Sequence, residues 1–185
     1  LVELEARFEG EGAPADFTAD VSFDGGAAAP VAFKAGRARV NVPDFKLWSH
    51  TEPNLHTVTL AYRVRDSEQK TSARFGIRQF TCGKGRFWLN GAPIFLKGVN
   101  RHESHYEFGA TTPVQLMYED IRNLKNMGGN FIRGSHYAQC GKFLDLCDEM
   151  GVLVWEESLG WGNRPLQLED PEFCELQLEQ TRMMV

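Results

Sequence analysis

The pattern of apolar and polar positions changes once along the chain, near residue 80, and its two parts predict different architectures. In the first part apolar residues alternate with period two. Val2, Leu4, Ala6 and Phe8 are interleaved with Glu3, Glu5 and Arg7; Phe17, Ala19, Val21 and Phe23 with Thr18, Asp20 and Ser22. Val58, Leu60, Tyr62 and Val64 likewise alternate with Thr57, Thr59, Ala61, Arg63 and Arg65. Successive side chains of a strand leave on opposite faces, so each run predicts a strand with one buried face. Asp24-Gly25-Gly26 supplies a turn. Short strands at this spacing predict an immunoglobulin-like β-sandwich over residues 1–80, with no cysteine pair placed to bridge its sheets. Trp48, in an aromatic and proline-containing loop, reads as a packing residue in preference to a sugar platform, and His50 and His56 read as surface residues.

After Phe80 the period lengthens. Phe87-Trp88-Leu89, the turn Asn90-Gly91 and Ile94-Phe95-Leu96 predict a hairpin leading into a buried strand. A helix follows with Thr112 as N-cap, Pro113 in its first position and Val114, Met117, Ile121 and Leu124 on one face, which Met127 extends. Gly128-Gly129 ends it, and Phe131 to Gly134 is the next strand. A helix from Gly141 to Met150 then buries Phe143, Leu144 and Cys147 and is capped by Gly151. Val152 to Trp155 is a third strand, and a last helix starts at the Asp170 cap with Pro171 in its first turn and Phe173, Leu176 and Met183 among its apolar residues. Strand, helix, strand, helix, strand is a parallel series. An open doubly wound sheet and a closed barrel share this order. No glycine fingerprint for a dinucleotide follows any strand, which favours the barrel.

The three strands end in the same way. Gly98 to Glu103 reads GVNRHE, Ile132 to Tyr137 reads IRGSHY, and Val152 to Trp155 runs into Glu156 and Glu157. In a parallel α/β barrel the carboxyl ends of the strands line the active face, so His102 and His136 are aimed into one pocket. Polar residues at that face read as ligand-contacting. Neighbouring residues on a strand point apart, so Glu156 and Glu157 cannot act as a catalytic pair.

Composition narrows the remaining choices. The net charge of −5 is modest and the lysines and arginines are scattered, so neither nucleic acid nor a membrane is an expected partner. Cys82, Cys140, Cys147 and Cys174 have no metal-binding spacing and read as reduced structural residues. His102-Glu103-Ser104-His105 is one residue short of the helical zinc pattern, and no metal or other cofactor is expected. The compartment is unassigned: reduced cysteines lean toward the cytoplasm, and secretion stays open because no initiating methionine is present. Both ends fall inside regular patterns, so the chain is expected to be cut from something longer, and an open three-stranded parallel sheet would fold poorly by itself.

The order of LWSHTEPNL, FGIRQF, NGAPIFLKGVNRHESH, NFIRGSHY and FLDLCDEMGVLVWEE resembles glycoside hydrolase family 2, the family of β-galactosidases, β-glucuronidases and β-mannosidases. The resemblance implies an immunoglobulin-like sandwich at 1–80 followed, at 81–185, by the amino-terminal part of a TIM (β/α)8 barrel. It implies a retaining mechanism with two carboxyl groups about 5 Å apart, one the acid/base and one the nucleophile. In the family these end the fourth and seventh strands, so no catalytic residue is expected before Val185 and the chain alone is expected to be inactive. The resemblance makes His102 and His136 sugar-binding, as neutral imidazoles that donate to hydroxyls where positive charge builds at the ring and a cation would oppose it, Arg133 the partner of the nucleophile, and Trp161 a candidate aglycone platform. Asn100, Arg101, Glu103 and Glu157 support the site, Glu157 by pairing with Arg101 or Arg133. Metal-dependent β-galactosidases carry a glutamate and a histidine where this chain has Ser158-Leu159-Gly160-Trp161-Gly162-Asn163. The expected substrate is a β-linked glycoside, a galactoside first and a glucuronide or another β-glycoside of the family second, with a homo-oligomer left open for the full-length form. The reading of another class is a noncatalytic carbohydrate-binding or interaction module.

Overall fold

The computed structural model describes residues 1–6, 8, 14–42, 44–64, 67–158 and 161–184. Arg7 and Arg65 of the alternating runs, Leu159 and Gly160 of the loop after the third strand, and Val185 lie outside the described residues. The chain divides into two compact units, one formed by 1–48 and 54–78, the other by 49–53 and 79–185.

In the first unit β1 (Val2–Glu5) pairs antiparallel with β4 (Arg37–Val40), and β2 (Phe17–Phe23), β3 (Ala29–Phe33), β5 (His56–Val64) and β6 (Ser67–Phe75) form an antiparallel sheet in the order β3-β2-β5-β6. Ala19, Val21, Phe33, Ala38, Val58 and Leu60 are buried together, with Leu4, Phe17 and Tyr62 packed against them. One core therefore joins the two sheets, as the period-two pattern requires. Trp48 is 1% exposed and lies under the Arg78 guanidinium, 4.6 Å from its ring centroid, so it packs.

His56 departs from the surface position read from the sequence: it is 6% exposed. Its Nδ1 meets the Asp24 carboxylate at 2.6 Å, and the other Asp24 oxygen accepts from the Thr57 amide at 2.7 Å. This pair, together with the contact of Nε2 with the Lys46 backbone at 3.0 Å, makes the burial of the ring tolerable. The hydrogen bond to Asp24 raises the His56 pKa, and the same bond, with the Thr57 amide, lowers that of Asp24. The His56 contribution is complete below the unfolded pKa of about 6.5 and is lost as pH rises through the raised folded value. The Asp24 contribution is complete above about 3.9 and is lost as pH falls through the depressed value. The urea midpoint of this unit is thus expected to be highest between about pH 4 and 6.5 and to fall on the alkaline side. Asp24→Asn should flatten that alkaline fall; an unchanged slope would remove the pair as its source.

The second unit opens with β7 (Phe80–Gly83), β8 (Arg86–Leu89) and β9 (Ala92–Ile94), an antiparallel sheet in that order. Asn90 and Gly91, with φ of 53° and 78°, make the tight β8–β9 turn that the Asn-Gly pair predicts. Then β10 (Gly98–Arg101), β11 (Phe131–Gly134) and β12 (Leu153–Trp155) form a parallel sheet, with Asn100, Arg133 and Trp155 in one register row. The crossovers are α1 (Val114–Asn126) and α2 (Gly141–Met150), followed by α3 (Pro165–Leu168) and α4 (Pro171–Met184).

Met117, Ile121 and Leu124 of α1, Phe143 and Cys147 of α2, and Ile132 and Val152 form the core on one face of the sheet. Val114 and Met127, at the two ends of the α1 stripe, are exposed instead. Pro113, not Thr112, is the N-cap: its ψ of 145° is extended, and the Thr112 hydroxyl is buried without a hydrogen-bond partner. Asp170 does accept from the Glu172 amide at 3.0 Å at the start of α4. The apolar positions of α4 stay largely uncovered, with Leu176 and Met183 exposed and none of its described residues buried. The short α3 has no counterpart in the sequence reading.

Gly151 caps α2 in the left-handed region at φ 72°, and a Cβ there would stand 2.6 Å from the His50 carbonyl oxygen. Lys125 donates to the same oxygen at 2.7 Å. Gly151→Ala meets both a strained φ and a backbone clash, so a loss of about 2 kcal/mol is expected in urea unfolding. A loss below about 0.5 kcal/mol would show that the cap relaxes freely.

Candidate functional site

The site lies where β10, β11 and β12 end. Parity along a strand assigns the faces: Asn100, Arg133 and Trp155 share one register row and project opposite to the helices, whereas Arg101 and Ile132 project toward them. Arg101 is accordingly 8% exposed, bonds Asp120 at 3.1 Å and Gln139 at 3.4 Å, and sits 4.1 Å above the Phe143 ring. It braces the helix layer and is not the partner of Glu157.

That partner is Arg133. Its Nε donates to Glu157 Oε1 at 2.6 Å and its terminal nitrogen lies 2.5 Å from the same oxygen. The second oxygen, Oε2, is 2.7 Å from Nδ1 of His136. Partial burial raises the Glu157 carboxyl, but hydrogen bonds from His136 and Arg133 outweigh it and hold the group below the ordinary carboxylate range. Glu156 leaves on the other side and accepts from the Gln139 amide at 2.8 Å. The two neighbouring carboxylates therefore diverge, as strand geometry requires.

His102 follows β10 directly, and its ring centroid lies 5.3 Å from that of His136. The His136 ring continues into Trp161 at 4.6 Å, with 33° between planes, and Trp161 is 71% exposed. The Ser135–His136 peptide is cis. Glu103 turns away from this cluster: its carboxylate accepts from the Cys140 amide at 3.1 Å, next to the start of α2. His136 also lines a cleft of about 590 Å³ with Tyr137, Gln139, Glu156 and Met183. Of the residues singled out from sequence, His102, His136, Arg133, Glu157 and Trp161 thus form one constellation. Asn100 shares the face of Arg133, Glu103 ties the loops, and Arg101 belongs to the core.

Two residues were missed. Tyr137 accepts the Glu103 amide proton on its hydroxyl at 2.9 Å and lies 6.3 Å from the His102 ring, so it fastens the loop after β10 to the loop after β11. Its place inside the SHY run was the available signal. Gln139 is buried and links Arg101, Glu156 and the Tyr137 carbonyl, and nothing in its sequence neighbourhood marks it.

Among the described residues no group of three or more histidines, cysteines and carboxylates is placed to hold a metal ion. No helix among them is long and apolar enough to cross a membrane. The cysteines are free thiols, and burial pushes the Cys147 thiol up to about 12, which leaves it inert.

Residues 80–168 match the family model of glycosyl hydrolases family 2, TIM barrel domain. The β-galactosidase of Thermoanaerobacterium thermosulfurigenes is 37% identical over 122 residues, which are 65% of this chain and 17% of that protein. A GH2 β-galacturonidase from Eisenbergiella tayi, solved with galacturonate, superposes with a TM-score of 0.78 at 30% identity, over 91% of this chain and 32% of its own. Bacteroides uniformis β-glucuronidase 3 superposes with a TM-score of 0.70 at 32% identity, over 92% of this chain and 23% of its own. The chain thus spans about a sixth of the β-galactosidase and at most a third of these two solved chains.

Proposed function

We propose that this chain is part of a β-glycosidase of glycosyl hydrolase family 2, a reading that starts from the match of residues 80–168 to the barrel domain of that family. In this reading the first unit is its immunoglobulin-like domain, and residues 81–185 begin its catalytic barrel. The observation that carries the proposal is the pairing of His102 and His136 at 5.3 Å beyond adjacent parallel strands, with the Glu157–Arg133 ion pair behind His136. Imidazoles held in this way meet the hydroxyls of a sugar ring without placing a fixed positive charge beside the developing oxocarbenium ion.

The chemistry is hydrolysis with retention. A carboxylic acid protonates the leaving oxygen, a carboxylate attacks the anomeric carbon, and water releases the glycosyl group. In this reading both carboxyl groups belong to the fourth and seventh barrel strands, outside this chain, and Glu156 and Glu157, whose carboxylates diverge, are not that pair. Arg133, 34% exposed, has guanidinium surface left to face an incoming nucleophile carboxylate and keep it ionised. Trp161 offers an exposed ring beside His136 for the aglycone.

A divalent cation does not fit this donor set. Both oxygens of Glu157 are already bound, one by the Arg133 guanidinium and one by His136, and Ser158 and Trp161 stand in the segment where metal-dependent members carry ligands. No step is routed through a metal.

The leading substrate is a β-galactoside, the activity named for four relatives of 30–37% identity. A β-uronide is the second reading, favoured by the solved uronidases that superpose over most of the chain. The natural protein that carries this chain, assayed on p-nitrophenyl β-galactoside, β-galacturonide and β-glucuronide, is expected to prefer the first by kcat/KM. A preference for either uronide would move the assignment, and no hydrolysis of any of the three would favour a noncatalytic sugar-binding module. The 185-residue chain by itself is expected to release no p-nitrophenol.

A further inference from the structure

The carboxylate behind His136 has a consequence for the atom that His136 presents to substrate. Nδ1 of His136 lies 2.7 Å from Glu157 Oε2 and 3.3 Å from the terminal nitrogen of Arg133. Arginine can only donate and a carboxylate can only accept, so Nδ1 cannot serve both. The shorter contact decides it: Nδ1 carries a proton directed at Glu157, and the Arg133 contact is a close approach with no hydrogen bond of its own. Arg133 instead spends its Nε on Glu157 Oε1 at 2.6 Å, which fixes the rotation of the carboxylate.

We propose that Glu157, itself oriented by Arg133, is a positioning residue that locks His136 in its Nδ1–H tautomer, so that Nε2 faces the pocket as a hydrogen-bond acceptor and the site selects a sugar hydroxyl that donates to it. This rests on the β-glycosidase reading for the identity of the ligand, but not for the state of the ring. It is the reverse of the polarity expected from the family resemblance, in which a neutral His136 donates. His102 has no carboxylate placed in this way among its described contacts; its nearest ring neighbours are His136 and Tyr137.

The isosteric replacement Glu157→Gln separates shape from polarity. The glutamine oxygen must turn to Arg133, because a guanidinium cannot accept. The amide NH2 then meets His136 Nδ1, which has to accept, and the ring proton moves to Nε2. The variant therefore presents a donor where the parent presents an acceptor, with the same atoms in the same places.

Neutron diffraction of the natural protein that carries this chain reads the parent directly: deuterium is expected on Nδ1 of His136 and absent from Nε2. Deuterium on Nε2, in the neutral or the doubly protonated ring, would overturn the proposal whatever the enzyme hydrolyses. Kinetics supply the second arm. Fluorine accepts weakly and cannot donate, so at the sugar position most sensitive to His136→Ala the parent should discriminate against the fluoro substrate. The ratio of kcat/KM for hydroxyl over fluorine substrates is expected to fall at least about tenfold in Glu157→Gln, the scale of one hydrogen bond gained or lost. An unchanged ratio would make Glu157 a merely structural ion-pair partner. Failure of all hydrolysis, with deuterium found on Nδ1, would refute the glycosidase reading and leave the tautomer standing.

Discussion

Replacing His136 by alanine is expected to lower kcat/KM of the natural protein that carries this chain by about 10²–10³-fold, while its thermal unfolding stays within about 1 kcal/mol of the parent. The asymmetry follows from where the ring sits. Its side chain is 23% exposed, beside an open cleft, and is absent from the apolar cluster under the sheet. Its neighbours are a carboxylate, a guanidinium, the His102 ring and an exposed tryptophan. Removing it opens space already shared with solvent, so the folded state loses little. Substrate loses a group whose value rises as charge develops at the anomeric carbon, and that loss falls on turnover. Steady-state kinetics and a thermal scan of one preparation check the statement. Equal loss of activity and stability would sink the ligand role of His136.

The largest expected effect on folding lies on the other face of the same sheet. Phe143 is 0% exposed, buried with Ile121, Leu124, Ile132 and Cys147. The guanidinium of Arg101 rests 4.1 Å over its ring. Phe143→Ala should cost about 3–5 kcal/mol, the usual range for emptying a buried phenylalanine site. It also strips Arg101 of the ring on which a nearly buried cation lies, so the upper end is favoured. Urea unfolding of the second unit, followed by tryptophan fluorescence, measures it. A change under about 1 kcal/mol would mean that α2 does not anchor the sheet.

These two residues lie only a few positions apart in the sequence, and both were legible there for the same reason. Period decides which face a side chain takes, and a polar residue just past an apolar strand marks the end where a ligand can be met. That rule located His102, His136, Arg133 and Glu157. It placed Arg101 wrongly because Asn100 and Arg101 differ by one position, and one position along a strand reverses the face. The GVNRHE run gives no sign of which of its polar residues looks inward. Asp120 and Gln139, which hold Arg101, come from α1 and from the loop after β11, at sequence separations of 19 and 38. Such pairings are set by packing, which local pattern does not encode.

The remaining departures have similar causes. Thr112 matched the residue preference for an N-cap, but the extended ψ of Pro113 moves the helix start by one residue and leaves the threonine hydroxyl without a partner. His56 resembled a surface histidine until Asp24 was brought beside it from a turn 32 residues earlier. The apolar residues of α4 predicted a packed face that the described residues leave exposed. A family 2 barrel has further strands and helices to lay against it, which is the proposed reason that α4 is bare in this chain.

Retaining hydrolysis of a β-glycoside by the natural protein that carries this chain is the central expectation. Proton NMR of the first minutes of hydrolysis of an aryl β-galactoside or β-uronide, read at the anomeric signals before mutarotation, is the measurement to make. The β-anomer is expected as the first product, released by a double displacement with His102 and His136 on the sugar. The α-anomer appearing first, or no cleavage of either substrate class, would contradict it.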